Sequence, residues 1–340
     1  MYDELKVLDV HAHVSVPPAG QHLLLSMLAT NTAMTSPLSG GSGAPPMGNP
    51  VSEEQFREAA AAHVTYIDER DIDVQIIGPR PYMVLGWMQP HLVPAWARYV
   101  NDTIAQQCRF FPDRFLGACQ LPQIASAPDI SHCLEELQRC VDEYGFVATY
   151  VSPDPDGRRT TPGMHEPYWY PLYERCEELA LPIIVHGSNS LDRRYGVVPH
   201  NYQLGFVVEQ YLATQFLGHG PVFDLFPSLK VVLCHFGGAL NRFVPEDYHL
   251  PQRDLSDNLF YDSCGYDVHF LEAAIKQRGV DQVCFGVEAP GSGRFVRPAT
   301  GRTSDDLIPV LRGFDWLSEE DRRRILHHNP AKVCPALAKV

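Results

Sequence analysis

What is scarce in this chain narrows its class before any motif is read. Its nine cysteines include no CxxC pair, and several, such as Cys234 and Cys284, sit inside apolar runs. They read as reduced, buried thiols of a cytoplasmic protein rather than a disulfide framework. No run approaches the roughly 18 apolar residues of a membrane span. The opening Met-Tyr-Asp-Glu-Leu-Lys is acidic and lacks the apolar h-region of a secretory signal. Positive charge is also short: 27 Lys and Arg face 41 Asp and Glu, a net charge of -14. That balance argues against nucleic acid and anionic membranes as partners. An anionic substrate would need arginines gathered locally to hold it.

Repeats and linkers are absent too, so the 340 residues read as one domain, 1-340. Short apolar runs alternate with helical stretches. Strands are expected at 7-10, 74-80, 115-119, 146-150, 181-186, 230-235, 259-262 and 283-286. Helices are expected at 52-70, opened by the capping box Ser52-Glu-Glu-Gln55, and at 91-111, 128-144, 168-179, 200-217 and 266-278. Two more close the tail near 304-313 and 318-327. Eight strands interleaved with helices predict an α/β fold, a single (β/α)8 TIM barrel. Residues 14-51 interrupt it with a Pro-, Gly-, Ser- and Thr-rich stretch that reads as a disordered insert or a lid, and its attachment to the histidine-tipped first strand favours a lid-like insertion.

The strand ends carry the chemistry. Val7-Leu-Asp-Val-His-Ala-His13 ends in two imidazoles, and alternation puts residues i and i+2 on one face. Leu181-Pro-Ile-Ile-Val-His186 ends in a third. Val283-Cys-Phe-Gly-Val-Glu288 ends in a carboxylate followed by Ala-Pro-Gly. Three imidazoles and one carboxylate form a ligand set for one divalent ion, Zn2+ or Mn2+. Lys230-Val-Val-Leu-Cys-His235 adds a fourth histidine, for which a backbone hydrogen bond is the plain alternative. In Gly78-Pro-Arg-Pro-Tyr82, an arginine between two prolines reads either as a preset carboxylate clamp or as an exposed loop residue. In a (β/α)8 barrel all these strand ends share one rim. Arg193, Arg194, Tyr195, Arg294 and Arg297 lie in loops that could line a pocket or face solvent. His327 and His328 lie near a helix C-terminus and read as structural. His63 shows no pattern linking it to the rim.

Taken together, the strand-tip HxH, the histidines after the fifth and sixth strands and the acid after the eighth resemble the amidohydrolase superfamily. The closer similarity is to its branch of decarboxylases, hydratases and carbon-carbon hydrolases of aromatic catabolism, through Gly78-Pro-Arg-Pro-Tyr82, Tyr168-Trp-Tyr-Pro-Leu-Tyr173, Phe285-Gly-Val-Glu288 and Pro298-Ala-Thr-Gly301. The resemblance implies that His11, His13, His186 and Glu288 hold the metal. It implies that His235 is the acid-base residue, that Glu288 doubles as a base, and that Arg80, Tyr202 and Arg242 bind a carboxylated substrate. It also implies a homo-oligomer. Glu288 stands where most of the superfamily has Asp. The fourth strand ends in Tyr150-Val151, without the metal-bridging lysine of dinuclear members, so one ion is expected. The activity expected is carbon-carbon bond cleavage in a ring-cleavage product by metal-activated water. The alternatives are hydration of an unsaturated oxo-dicarboxylate and nonoxidative decarboxylation.

Overall fold

The computed structural model describes residues 2, 4-15, 51-197, 201-244, 246-250 and 253-340. Most of the expected lid, 16-50, lies outside the described residues. Eight parallel strands follow one another in chain order: β1 Leu8–His13, β2 Val74–Gly78, β3 Phe115–Gln120, β4 Ala148–Val151, β5 Ile183–Val185, β6 Val231–Leu233, β7 Leu259–Asp262 and β8 Val283–Cys284. Closure comes from the ends: Val10 N donates to Phe285 O at 3.0 Å and Glu288 N to His11 O at 2.9 Å, joining the β8 segment to β1. The single (β/α)8 barrel expected from the sequence is the fold.

The connecting helices are α1 Glu53–Asp68, α2 Val93–Phe110, α3 Leu134–Tyr144, α4 Tyr170–Glu178, α5 Asn201–His219, the one-turn α6 Val222–Leu225 and α7 Val268–Arg278. The tail adds α8 Ile308–Arg312, α9 Glu319–Arg323 and α10 Asn329–Val333. Ser52 caps α1 through the predicted box, its side chain accepting from Gln55 N while Gln55 reaches back to Ser52 N. The helix expected from 128 begins at Leu134, because Ser131–Cys133 forms a tighter 3-10 turn first.

Strand alternation divides the apolar residues into two cores. Leu8, Val10, Val74, Ile76, Ile184, Val232 and Phe260 fill the barrel, and Val333, Cys334 and Leu337 from the tail plug its floor. Ala12, Val14, Ile77, Ile183 and Val185 face outward into the layer beneath the helices. Parity therefore changes within β1, where Leu8 and Val10 point in but Ala12 points out. The register shows why. Asp9 pairs with Gln75 and Ala12 with Ile77, so three steps on β1 match two on β2. This bulge turns His11 and His13 to the inner face at the mouth of the barrel. All nine cysteines are free, and eight are buried. Among the described residues no helix is long and apolar enough to cross a membrane.

Candidate metal centre and proton-transfer site

The mouth of the barrel brings His11, His13, His186 and Glu288 together. One ligand atom from each lies within 4.8 Å of the others, and all four residues are buried. Each imidazole is oriented by its Nδ1, which donates to an acceptor: Asp262 Oδ2 at 2.6 Å for His11, Pro79 O at 2.8 Å for His13, and Gly187 O at 2.7 Å for His186. Those bonds fix the proton on Nδ1 and leave the Nε2 lone pair of each ring facing the shared centre. All three Nε2 atoms are buried without a hydrogen-bond partner among the described residues. An unsatisfied buried acceptor costs about 1–3 kcal/mol, so three on one point argue for a bound cation. Burial pushes the His13 imidazole down to about 4 and holds His186 well below its ordinary range. Both are therefore neutral, the form that ligates. Burial pushes Glu288 up, yet the adjacent imidazoles of His13 and His235 outweigh that and hold the carboxyl well below its usual range.

Two other groups fall within the same distance, His11 with His235 and Cys264, and His11 with Cys234 and Asp262. Burial drives both thiols well above their ordinary values, which disfavours the thiolate a metal would need. Asp262 is already engaged by His11. The residues present fit one divalent ion on three imidazoles and a carboxylate.

His235 stands over this centre, its ring centroid 5.3 Å from that of His11 and 5.0 Å from that of His186. Its Nε2 lies 3.7 Å from Glu288 Oε2. Burial lowers its pKa, but the neighbouring Glu288 carboxylate more than offsets this and raises it. The ring leaves β6 through a left-handed turn, with φ of 52° at His235, 53° at Phe236, 72° at Gly237 and 82° at Gly238. A Cβ on Gly238 would sit 1.9 Å from Val207 O, so glycine is required where the turn meets α5. Gln210 of α5 places both amide atoms against His235 Nδ1, Nε2 at 3.0 Å and Oε1 at 3.1 Å. By presenting either atom, that amide can serve as donor or acceptor and suits both protonation states of the ring. Glu288 also has φ of 56°, and the Ser292 and Tyr266 hydroxyls lie 3.0 and 3.3 Å from its Oε2.

Arg80 follows β2, half-buried, with Nε donating to Val14 O at 3.0 Å. Its neighbour Pro79 supplies the carbonyl that orients His13, so one Gly-Pro-Arg-Pro turn serves both residues. Arg242 is exposed, its guanidinium carbon 5.6 Å from the Phe243 ring centroid. Tyr202 belongs to the first turn of α5, but its side chain lies outside the described residues. The Arg194 guanidinium is exposed and pairs with Asp192.

Three residues of this site escaped the sequence reading. Asp262 ends β7 and holds His11 Nδ1 through Oδ2, while its Oδ1 accepts from Cys264 N at 3.0 Å. Asp262→Asn is expected to weaken metal binding about 10–100-fold with the fold retained, as measured by chelator competition and circular dichroism. Gln210 is the second. The third is His63 of α1. It lies 3.2 Å from Ala289 O and 2.8 Å from Gln75 Oε1 through Nε2, and 3.0 Å from Ser15 Oγ through Nδ1. Gln75 in turn donates to Ala289 O and to Asp9 Oδ2 at 2.9 and 2.8 Å. This network ties the residue after Glu288 to β1, β2 and α1.

Burial lowers the His63 pKa from 6.5 to about 3. Between those values the unfolded chain binds a proton that the folded chain refuses, so stability falls as acid is added through that window. His63→Gln is expected to remove one proton's worth of that slope, about 1.4 kcal/mol per pH unit. Urea titrations of the metal-free wild type and variant from neutral pH to about pH 4 measure the difference; parallel slopes would refute it.

An eight-stranded parallel barrel with three imidazoles and a carboxylate on its mouth defines a class, the (β/α)8 barrels whose strand ends could hold a divalent ion. The profile of the amidohydrolase family matches residues 8–335, and the chain belongs to that family. It is 30% identical over 354 residues to 2-keto-4-carboxy-3-hexenedioate hydratase of a Sphingobium species, covering 98% of this chain and 97% of that one. Gamma-resorcylate decarboxylase of a Rhizobium species is 30% identical over 219 residues, 57% of this chain and 65% of that protein. The crystal structure of 4-oxalomesaconate hydratase from Rhodopseudomonas palustris superposes with a TM-score of 0.78 at 27% identity, covering 98% of this chain and 97% of that one.

Proposed function

We propose that this chain is a metal-dependent hydratase that adds water across a carbon-carbon double bond conjugated to a carbonyl in a polycarboxylated product of aromatic ring cleavage. The observation that carries this reading is the pairing of His235 Nε2 with Glu288 Oε2 at 3.7 Å above the three-imidazole cluster. Two groups able to exchange protons thus flank one site. Similarity along nearly the whole chain to a hydratase supports hydration over the carbon-carbon hydrolysis expected first, since the relatives described above are hydratases and a decarboxylase.

An ion on His11, His13, His186 and Glu288 supplies a positive charge that polarises a carbonyl and acidifies water. The chain's own groups do the rest. Arg80, anchored through Nε, turns the remainder of its guanidinium to a substrate carboxylate. Glu288 Oε2, steadied by Ser292 and Tyr266, takes a proton from the water as its oxygen bonds to the far alkene carbon. The alkene electrons shift toward the carbonyl as an enolate, and His235 delivers a proton to the carbon beside that carbonyl. Gln210 keeps the ring aligned as its charge changes. Tyr202 and Arg242 belong to the proposal as further substrate contacts. So do a single domain over 1-340, Zn2+ or Mn2+ as the ion, a homo-oligomeric state and a cytoplasmic setting.

The test is incubation of the metal-loaded protein with 2-keto-4-carboxy-3-hexenedioate in isotopically labelled water, followed by mass spectrometry. Gain of one labelled water supports hydration. Loss of carbon dioxide, or scission into two fragments, overturns it in favour of decarboxylation or carbon-carbon hydrolysis.

A further inference from the structure

Beside the metal ligands, between the ends of β2, β3, β4 and β5, lies a cleft walled by Pro79, Pro81, Gln120, Tyr150, Ser152 and His186. Its interior leaves about 10 Å³ for the centre of a water-sized group, room for a single such group. Most of the wall is apolar. The Tyr150 hydroxyl is engaged, donating to Ala12 O at 3.1 Å. Two atoms are not engaged: Gln120 Oε1 and Ser152 Oγ are buried and have no hydrogen-bond partner among the described residues. Both residues are 2% exposed.

Neither atom is loose. Gln120 Nε2 donates to Met83 O at 3.0 Å. Reversing the amide would set two acceptors against each other, so Oε1 stays turned away from that bond as an acceptor. Ser152 is clamped through its main chain by the Gln123 side chain, with N donating to Gln123 Oε1 at 2.8 Å and O accepting from Gln123 Nε2 at 2.7 Å. That leaves the hydroxyl free to donate or accept.

We infer that this cleft is a hydroxyl subsite of the substrate pocket, taking an enol or alcohol OH that donates to Gln120 Oε1 and accepts from Ser152 Oγ. A carboxylate or keto oxygen has no proton for Gln120 Oε1 and would meet it lone pair to lone pair. An ammonium would enter beside Arg80 and the expected cation, where like charge disfavours it. A neutral hydroxyl satisfies both atoms. The choice of a carboxylated ligand rests on the hydratase reading; the subsite itself is tested by binding alone.

The probes are isophthalate and its monohydroxy ring isomers, titrated by calorimetry into zinc-loaded wild type, Ser152→Ala and Gln120→Met. At least one hydroxy isomer is expected to bind wild type about 10-fold more tightly than isophthalate, as a buried hydrogen-bonded pair discriminates. Each variant should cut that preference to about 3-fold or less while isophthalate affinity holds. Ser152→Ala should melt no lower than wild type, because it removes an unpaired buried hydroxyl. No preference for any isomer, a preference that survives both variants, or failure of every probe to bind would overturn the subsite. Turnover is read separately. Hydroxyl preference without hydration sinks the hydratase reading alone, and hydration without hydroxyl preference sinks the subsite alone.

Discussion

Glu288→Ala is expected to abolish turnover, by at least about 10³-fold, and to lower metal occupancy, while the barrel stays folded. Glu288 is the only carboxylate in the four-donor cluster, so without it a doubly charged ion would keep three neutral imidazoles and no anionic ligand from that cluster. Its removal also strips the Ser292 and Tyr266 hydroxyls of a charged acceptor 3.0 and 3.3 Å away, and His235 loses its proton-exchange partner. Three roles fall together, so the effect should exceed that of any single hydrogen bond. Folding should survive: Glu288 lies at the rim beyond β8, outside both apolar cores. Glu288→Gln separates charge from shape by keeping the side chain's length and one acceptor oxygen. It should retain more metal than Glu288→Ala yet remain close to inactive, because an amide takes no proton from water. Metal content by mass spectrometry, alongside single-turnover kinetics, checks both variants. Full metal content with unchanged activity in Glu288→Ala would remove this cluster from the chemistry.

The rim was legible because barrel strands are short apolar runs that end abruptly, and a polar residue at such an end reveals itself by breaking the run. His11, His13, His186, His235 and Glu288 all meet that condition, and the structure brings them together. What the run pattern could not show was facing. Leu8, Val10, His11 and His13 share the inner side only through the bulge in β1, which leaves no mark in a sequence of alternating residues. Asp262 looked like the polar end of an ordinary strand, and its meaning appears only when the barrel sets it 2.6 Å from His11. Gln210 and His63 were hidden more deeply. They lie within helices, where a lone polar residue on a packed face carries no period of its own, and only tertiary contact reveals what it holds. The reaction was least legible of all. The ion, acid-base pair and carboxylate clamp proposed for this site would suit hydration, carbon-carbon hydrolysis or decarboxylation, so the ligand set alone does not choose among them.

His235→Asn separates proton transfer from metal binding, and the backbone dictates the choice of substitute. His235 has φ of 52°, a left-handed conformation that asparagine tolerates better than alanine, so the turn into Gly237 and Gly238 should persist. His235 is outside the four-donor cluster, and the metal should remain bound. Loss of a positioned acid-base group typically costs about 10²–10⁴-fold. That loss is expected in kcat, with KM changing by only a few-fold, because Arg80 and the ion site are untouched. Exchange of solvent hydrogen into the carbon beside the substrate carbonyl should slow in parallel, since His235 is the group assigned to that carbon. Gln210→Met provides a graded control. It removes the amide facing Nδ1 but leaves the ring, so it should lower kcat by about 10-fold and disturb the pH profile without ending exchange. If His235→Asn keeps its metal and its exchange rate but still loses turnover, the proton at that carbon comes from another group, and Glu288 would have to serve both ends of the addition.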